Sequence, residues 1–205
     1  MPELALGLYV FYLALTFGVR TVVQVRRTGS TGFHGLGGRP LSAEWLAGVG
    51  FALALVLGVA APALDLTDVL GPVEALDRDV GHIVGAALAG GGIAATYLAQ
   101  VAMGTSWRIG VDPAERTELV TTGAFAHVRN PIFAAMLPTA LGLTLLVPSV
   151  VAIGGLIALA IALELQVRAV EEPYLRRTHG DAYAAYATRA GRFLPGIGRL
   201  RGGTP

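Results

Sequence analysis

Four ionisable side chains at the end of the last apolar stretch carry the strongest chemical signal in the chain. Glu164, Arg168, Glu171 and Glu172 follow at i, i+4, i+7 and i+8, so a helix there would place them on one face. Ionisable groups near membrane depth are costly and face a cavity or a partner. Glu164 with Arg168, and Arg168 with Glu172, each have the spacing of a favourable i,i+4 pair. Two readings stand: a paired ladder that snorkels at a helix end, or a site. Adjacent carboxylates with one arginine suit a cationic cofactor and an anionic substrate.

Upstream, Arg129-Asn130-Pro131 opens another apolar run, with Pro131 near the first helical position, where its missing donor costs nothing. The spacing supports an N-cap at Asn130, and free amides at such a start can hold a carboxylate or another anion. Trp107-Arg108 ends the preceding run, either as an interfacial anchor with positive-inside charge or as an entrance that meets a lipid headgroup. Beyond Pro173, Leu175, Tyr183 and Tyr186 are expected on one apolar face of a helix along the membrane surface, a simple cap or a lid. His34, His82, His127 and His179 lack ligand-like spacing, so no metal site is expected. Zero Cys excludes disulfides, thiolate metal sites and a cysteine nucleophile.

These residues must be positioned by a membrane-embedded frame. Hydrophobic residues make up 54% of the 205 and charged residues only 14%, with mean hydropathy +0.62; a soluble domain has roughly 25% charged. About 20 apolar residues cross the hydrocarbon core. Five stretches qualify, near 4–25, 44–63, 81–103, 131–148 and 149–170. The last two meet at Pro148-Ser149 in a tight helical hairpin, and Pro138 is expected to kink the fourth; a four-span reading with a re-entrant fourth segment stays open. The fold class is therefore all-α integral membrane, with five transmembrane helices and a cytoplasmic C-terminal amphipathic cap. Residues 1–80 form a two-span N-terminal region and 81–205 the core with its polar segments.

All 15 basic residues are Arg, and their balance against 14 acidic ones does not suggest a nucleic-acid binder. With the N-terminus outside, five spans put 14 of the 15 arginines on the cytoplasmic side. Glu3 precedes the first apolar run and no basic n-region exists, so no signal peptide is expected. Small residues recur at helix-face spacing: Gly81, Gly85 and Ala89, and again Gly154, Ala158 and Ala162. Gly90-Gly91-Gly92 reads as a loosened turn or as a path for a bulky lipid tail. Two polar segments, 104–130 and 171–205, are expected over the same end of the bundle.

The ordered motifs Leu119-Val120-Thr121-x-Gly123-x-Phe125, Val128-Arg129-Asn130-Pro131-Ile132-Phe133, Glu171-Glu172-x-x-Leu175, Gly180-x-x-Tyr183-x-x-Tyr186 and Arg192-Phe193-Leu194-Pro195 resemble the isoprenylcysteine carboxyl methyltransferase (ICMT) family. That family belongs to a wider group with phospholipid methyltransferases, and the resemblance covers about residues 97–200. It implies methyl transfer from S-adenosylmethionine at the cytoplasmic membrane face. By resemblance, Thr117, Glu118, Leu119, Val120, Phe125, Arg129, Asn130, Pro131, Ile132, Phe133 and Tyr183 belong to the cofactor pocket. Glu171 would be its acidic ligand, and Arg168 would orient the acceptor. Three departures stand out. Asn130 replaces a His common in eukaryotic members, Phe125 and Phe133 lack a Tyr hydroxyl, and Arg168 lies one residue nearer the Glu-Glu pair.

Such a reaction suits the residues. In-line displacement at a sulfonium needs chiefly positioning, and a carboxylate favours the cationic donor. A carboxylate acceptor needs an orienting cation such as Arg168; a hydroxyl, amine or thiol acceptor needs a base, for which His127 and Glu172 are candidates. Trp107, Arg108 and Glu164 are expected to meet the acceptor. No glycine-rich strand-turn-helix signal of a soluble methyltransferase occurs. The expected function is methyl transfer to a lipophilic small molecule, isoprenoid, quinone-like or lipid, drawn from the inner membrane of what looks like a bacterium. Two rivals remain open: a nicotinamide-dependent membrane reductase like the sterol reductases, and a non-catalytic membrane accessory protein that kept the fold.

Overall fold

The computed structural model describes residues 1–33, 35, 37–110 and 118–200; Thr117 lies outside them. The chain forms helices α1 (Pro2–Thr28), α2 (Ala43–Leu66), α3 (Asp79–Ala102), α4 (Pro131–Leu146), α5 (Val150–Leu165) and α6 (Glu172–Arg189). Among the described residues there is no strand, only two isolated bridges, Phe33 with Ile109 and Val128 with Gly191. α1, α2, α3 and the run from Val150 are long and apolar enough to cross a membrane; α4 is the shorter apolar helix. The fold class expected from sequence is the one found.

Local chemistry sets the boundaries. Ser42 caps α2 by accepting from the Trp45 amide at 3.2 Å, and Ser149 caps α5 from the Ala152 amide at 3.2 Å. Pro131 starts α4, and α4 stays helical through Pro138. Only Val147-Pro148-Ser149 separates α4 from α5, the tight hairpin expected. α5 continues into α6 through a wide turn at Gln166–Glu171. About 20 residues from Val150 suffice to cross the hydrocarbon, so Glu171 and the residues after it lie beyond the span.

Two helix pairs build the bundle, α3 against α4 and α2 against α5, and α1 touches α2, α3 and α4. The α3–α4 seam depends on missing side chains. A Cβ at Gly85 would lie 2.8 Å from the Gly142 carbonyl, and one at Gly142 would strike the backbone of Gly85 and Ala89. Small residues permit this approach where no hydrophobic force drives helices together in lipid. On α5 the expected stripe is found at Ala158 and Ala162, which pack inward, but the glycine at the contact is Gly155 and not Gly154. Gly154 faces open space, whereas Gly155 meets Leu57 and Ala162 meets Gly50. Gly90-Gly91-Gly92 is regular helix and not a loosened turn: Gly90 and Gly91 face outward, and Gly92 abuts Thr139.

Gly142→Leu is expected to lower the melting temperature of the detergent-solubilised protein, since overpacking costs about 1–3 kcal/mol. Gly91→Ala, at an open helical position, is expected to leave it unchanged or raise it.

Candidate active site at the arginine-rich end

The two polar segments do meet at one end of the bundle, and an ionic cluster joins them. Arg129, just before α4, donates from Nη2 to Glu172 Oε1 at 2.6 Å. Arg192, just after α6, donates from Nε to Oε1 at 2.8 Å and from Nη2 to Oε2 at 2.9 Å. The carboxylate therefore takes a two-point grip from one guanidinium and a third bond from the other. Arg129 is buried, and its remaining donors reach the carbonyls of Ala187 (3.2 Å), Ala190 (2.7 Å) and Gly198 (3.0 Å). Burial pushes the Glu172 carboxyl up, but the hydrogen bonds and charges of Arg192 and Arg129 outweigh it and hold it below the usual range.

This arrangement corrects the expected ladder. Arg168 does not reach Glu172; its Nε pairs with Glu164 at 2.5 Å on an exposed stretch. The physical reason is competition: Arg129, buried and held by backbone carbonyls, and Arg192, gripping both oxygens, occupy the carboxylate. Glu172 is thus a poor proton acceptor, and the base role assigned to it loses its physical support. Arg168 is exposed, and Glu164 lies close enough for its charge to act on Arg192.

Backbone pairing closes the same junction. The Arg129 amide donates to the Gly191 carbonyl at 2.8 Å, and the Gly191 amide to the His127 carbonyl at 3.0 Å. Gly191 has no room for a side chain, because a Cβ would collide with the Leu194 carbonyl. Asn130 precedes α4 as expected, but its side chain does not cap the helix; Nδ2 donates to the Arg192 carbonyl at 3.1 Å. Behind this layer, Tyr183, Tyr186, Ala187 and Ala190 form a small buried core with Leu119, Leu175 and Leu200. Tyr186 Oη donates to the Phe125 carbonyl at 2.6 Å. Leu175, Tyr183 and Tyr186 thus pack against the protein's own loops and not along a membrane surface. Gly180, at φ 49° and ψ −125°, breaks α6 and lets its second half turn onto them.

Glu171 sits on the other side of the cluster. Burial pushes its carboxyl up to about 7, against the opposing effects of the Arg108 charge and a hydrogen bond with Gln166, with Glu172 adding to the rise. Arg108 lies over the Tyr174 ring, 5.0 Å from its centroid. Trp107 is no interfacial anchor: it is buried, with the Arg20 guanidinium 4.8 Å from its ring centroid. Of the other expected residues, Glu118 and His127 are exposed, Val120 and Pro131 border the junction, and Ile132 and Phe133 pack onto the bundle core. Sequence reasoning missed Arg192, Tyr174 and Tyr186 as site residues, although the motifs that carried the resemblance contain Arg192 and Tyr186. It also missed Arg20, for which no local motif exists.

Beside Glu172 the Tyr183 hydroxyl faces Arg129, and near Arg108 the buried His179 Nε2 lacks a hydrogen-bond partner among the described residues. Such groups at a polar junction suit a bound polar ligand. Removing one member of a buried ion pair costs about 3–5 kcal/mol, so Glu172→Ala is expected to unfold the protein at a markedly lower temperature. Because the folded carboxyl titrates below its usual range, its contribution is complete above that range and is lost as pH falls through it. The melting temperature of the parent is therefore expected to fall on acidification, and that of Glu172→Gln less so.

The family profile of phospholipid methyltransferases (PEMT) matches residues 80–182, which contain Glu171, Glu172, Arg129 and Asn130. Among solved structures, the chain is similar to the eukaryotic intramembrane Ras methyltransferase ICMT (isoprenylcysteine carboxyl methyltransferase). The TM-score is 0.58 at 17% identity, over 98% of this chain and 70% of that one. At that identity the likeness speaks for the fold alone. No curated protein matches the chain in sequence. The profile spans half of the chain and includes Arg129 and Glu172 of the buried junction, and four helices are long and apolar enough to cross a membrane: the chain belongs to the phospholipid methyltransferase family.

Proposed function

We propose that the protein transfers the methyl group of S-adenosylmethionine to a lipophilic small-molecule acceptor at the arginine-rich end, on the cytoplasmic face. The observation that carries this reading is Glu171. It lies where both polar segments meet, partly buried, beside Arg108 and not consumed by the Arg129–Arg192 pair. A carboxylate there stabilises a sulfonium cation, and the Tyr183 hydroxyl, which faces Arg129, adds a polar group beside it. The neighbouring loops at Leu119-Val120 and Phe125 supply backbone groups and apolar contacts.

In the reaction the acceptor's lone pair forms a bond to the methyl carbon as the carbon–sulfur bond breaks, leaving a neutral thioether. The protein's part is to align the two reactants. A carboxylate acceptor needs no proton removed. For a hydroxyl, amine or thiol, exposed His127 is the better base, because Glu172 is tied to two guanidiniums. The arginine distribution supports the cytoplasmic placement of this face, and the apolar surface of the bundle supports sideways entry of the acceptor from the bilayer.

Isothermal titration of the purified protein with S-adenosylhomocysteine tests the cofactor; saturable binding that Glu171→Ala loses is expected, and a folded protein that binds nothing would sink the proposal. Glu171 gives a second, sharper expectation. Its carboxyl, raised to about 7, is mostly ionised at pH 8 and mostly neutral at pH 6. S-adenosylmethionine is therefore expected to bind roughly tenfold more weakly at pH 6 than at pH 8, with the dependence flattened in Glu171→Gln.

A further inference from the structure

The N-terminal helix reaches the same end of the molecule with a buried polar stripe that the family profile, matching from residue 80, does not include. Thr16, Arg20 and Gln24 are all buried, at successive intervals of four. In an ideal α-helix at about 100° per residue, twelve residues from Tyr12 to Gln24 would drift about 120° off the face. A wide turn at Ala14–Val19 intervenes, and its extra residue takes back about 100° of that drift. The stripe therefore stays against α3 and the turn after it.

Three side chains then tie α1 to that region. Arg20 Nη2 donates to the Gly104 carbonyl, Gln24 Nε2 donates to the Thr105 carbonyl at 2.8 Å, and Gln100 Nε2 returns a bond to the Thr16 carbonyl at 3.1 Å. The Arg20 guanidinium covers the face of Trp107, a cation–π contact that strengthens when desolvated. The next residue, Arg108, lies over Tyr174 and carries the charge that acts on Glu171. Just beyond, the Ile109 amide donates to the Gly32 carbonyl at 2.7 Å, so the connection after α1 also grips the segment. Gly104 is at φ 60°, a left-handed turn that needs such restraint.

We infer that Arg20 is a positioning residue for the site, acting through Trp107 to hold Arg108 against Tyr174 and Glu171. The inference rests on the proposed cofactor site. It makes the first transmembrane helix part of the binding machinery, although α1 touches neither reactant. A buried guanidinium in this place is costly, and an uncharged helix-packing residue would suffice if α1 served only to fill the bundle.

Trp45 and Trp107 are the chain's two tryptophans, so Trp45→Phe leaves Trp107 as sole reporter in the full-length protein. In that background, Arg20→Ala is expected to shift emission to the red and to weaken S-adenosylhomocysteine binding at least tenfold. Arg20→Lys, which keeps a cation over the ring, should recover part of the affinity. Leu146→Ala, a core truncation at the opposite end of α4 that packs with Ala5 and Val147, should lower the melting temperature and leave the dissociation constant unchanged. Should Arg20→Ala not fold, Trp107→Leu carries the same expectation for affinity. A folded Arg20→Ala that binds as tightly as its parent overturns the inference, as does an equal loss in Leu146→Ala. A parent that binds no S-adenosylhomocysteine overturns the proposed cofactor and this inference with it, whereas parent binding with an indifferent variant overturns the inference alone.

Discussion

One carboxylate holds the arginine-rich end together. Glu172 accepts from Arg129 on the approach to α4 and from Arg192 beyond α6, so residues more than forty positions apart in sequence are fixed around it. Burying three charges is justified only when geometry and additional hydrogen bonds are good. Here Arg129 has three backbone carbonyls besides, and Arg192 grips both carboxylate oxygens. The tyrosine layer, the Gly191 pairing and the side chain of Asn130 are arranged around that point. Two adjacent glutamates consequently have different surroundings: Glu172 is held by two guanidiniums, whereas Glu171 has a hydrogen bond with Gln166 and the charge of Arg108.

The membrane frame serves this end by close backbone approach. α3 and α4 come together through Gly85, Ala89 and Gly142, which fixes where the loop after α3 and the start of α4 emerge. α1 then pins the loop after α3 from the side. The N-terminal spans thus share in shaping the junction, and their contribution is one of aim and not of motif.

Much of the architecture was legible because lipid leaves few options: apolar runs of the right length must be helices that satisfy their own backbone. The hairpin at Val147-Pro148-Ser149 and the meeting of the two polar segments followed from short connections. Residue pairing was less legible. Helical spacing placed Arg168 beside Glu172, yet spacing says nothing about rivals from elsewhere in the chain, and Arg129 and Arg192 took that carboxylate. The Leu175–Tyr183–Tyr186 face was rightly apolar, but composition does not say whether lipid or protein covers such a face. Arg20 looked like ordinary positive-inside charge, and only the wide turn in α1, invisible to periodicity, aims it inward.

The brevity of α4 has a consequence for depth. Its 16 residues span about 24 Å, some 6 Å less than the hydrocarbon core. Its far end is fixed to α5 by three residues, and the loop between α2 and α3 binds the Pro148 carbonyl through the Val73 amide at 2.6 Å. The shortfall therefore falls at the other end, where Arg129 and Asn130 stand. With Arg129 bonded to Glu172 beyond the span, the mismatch is met by local thinning of the leaflet around that layer. Such thinning would bring the chains of surrounding lipids level with Arg129 and Asn130.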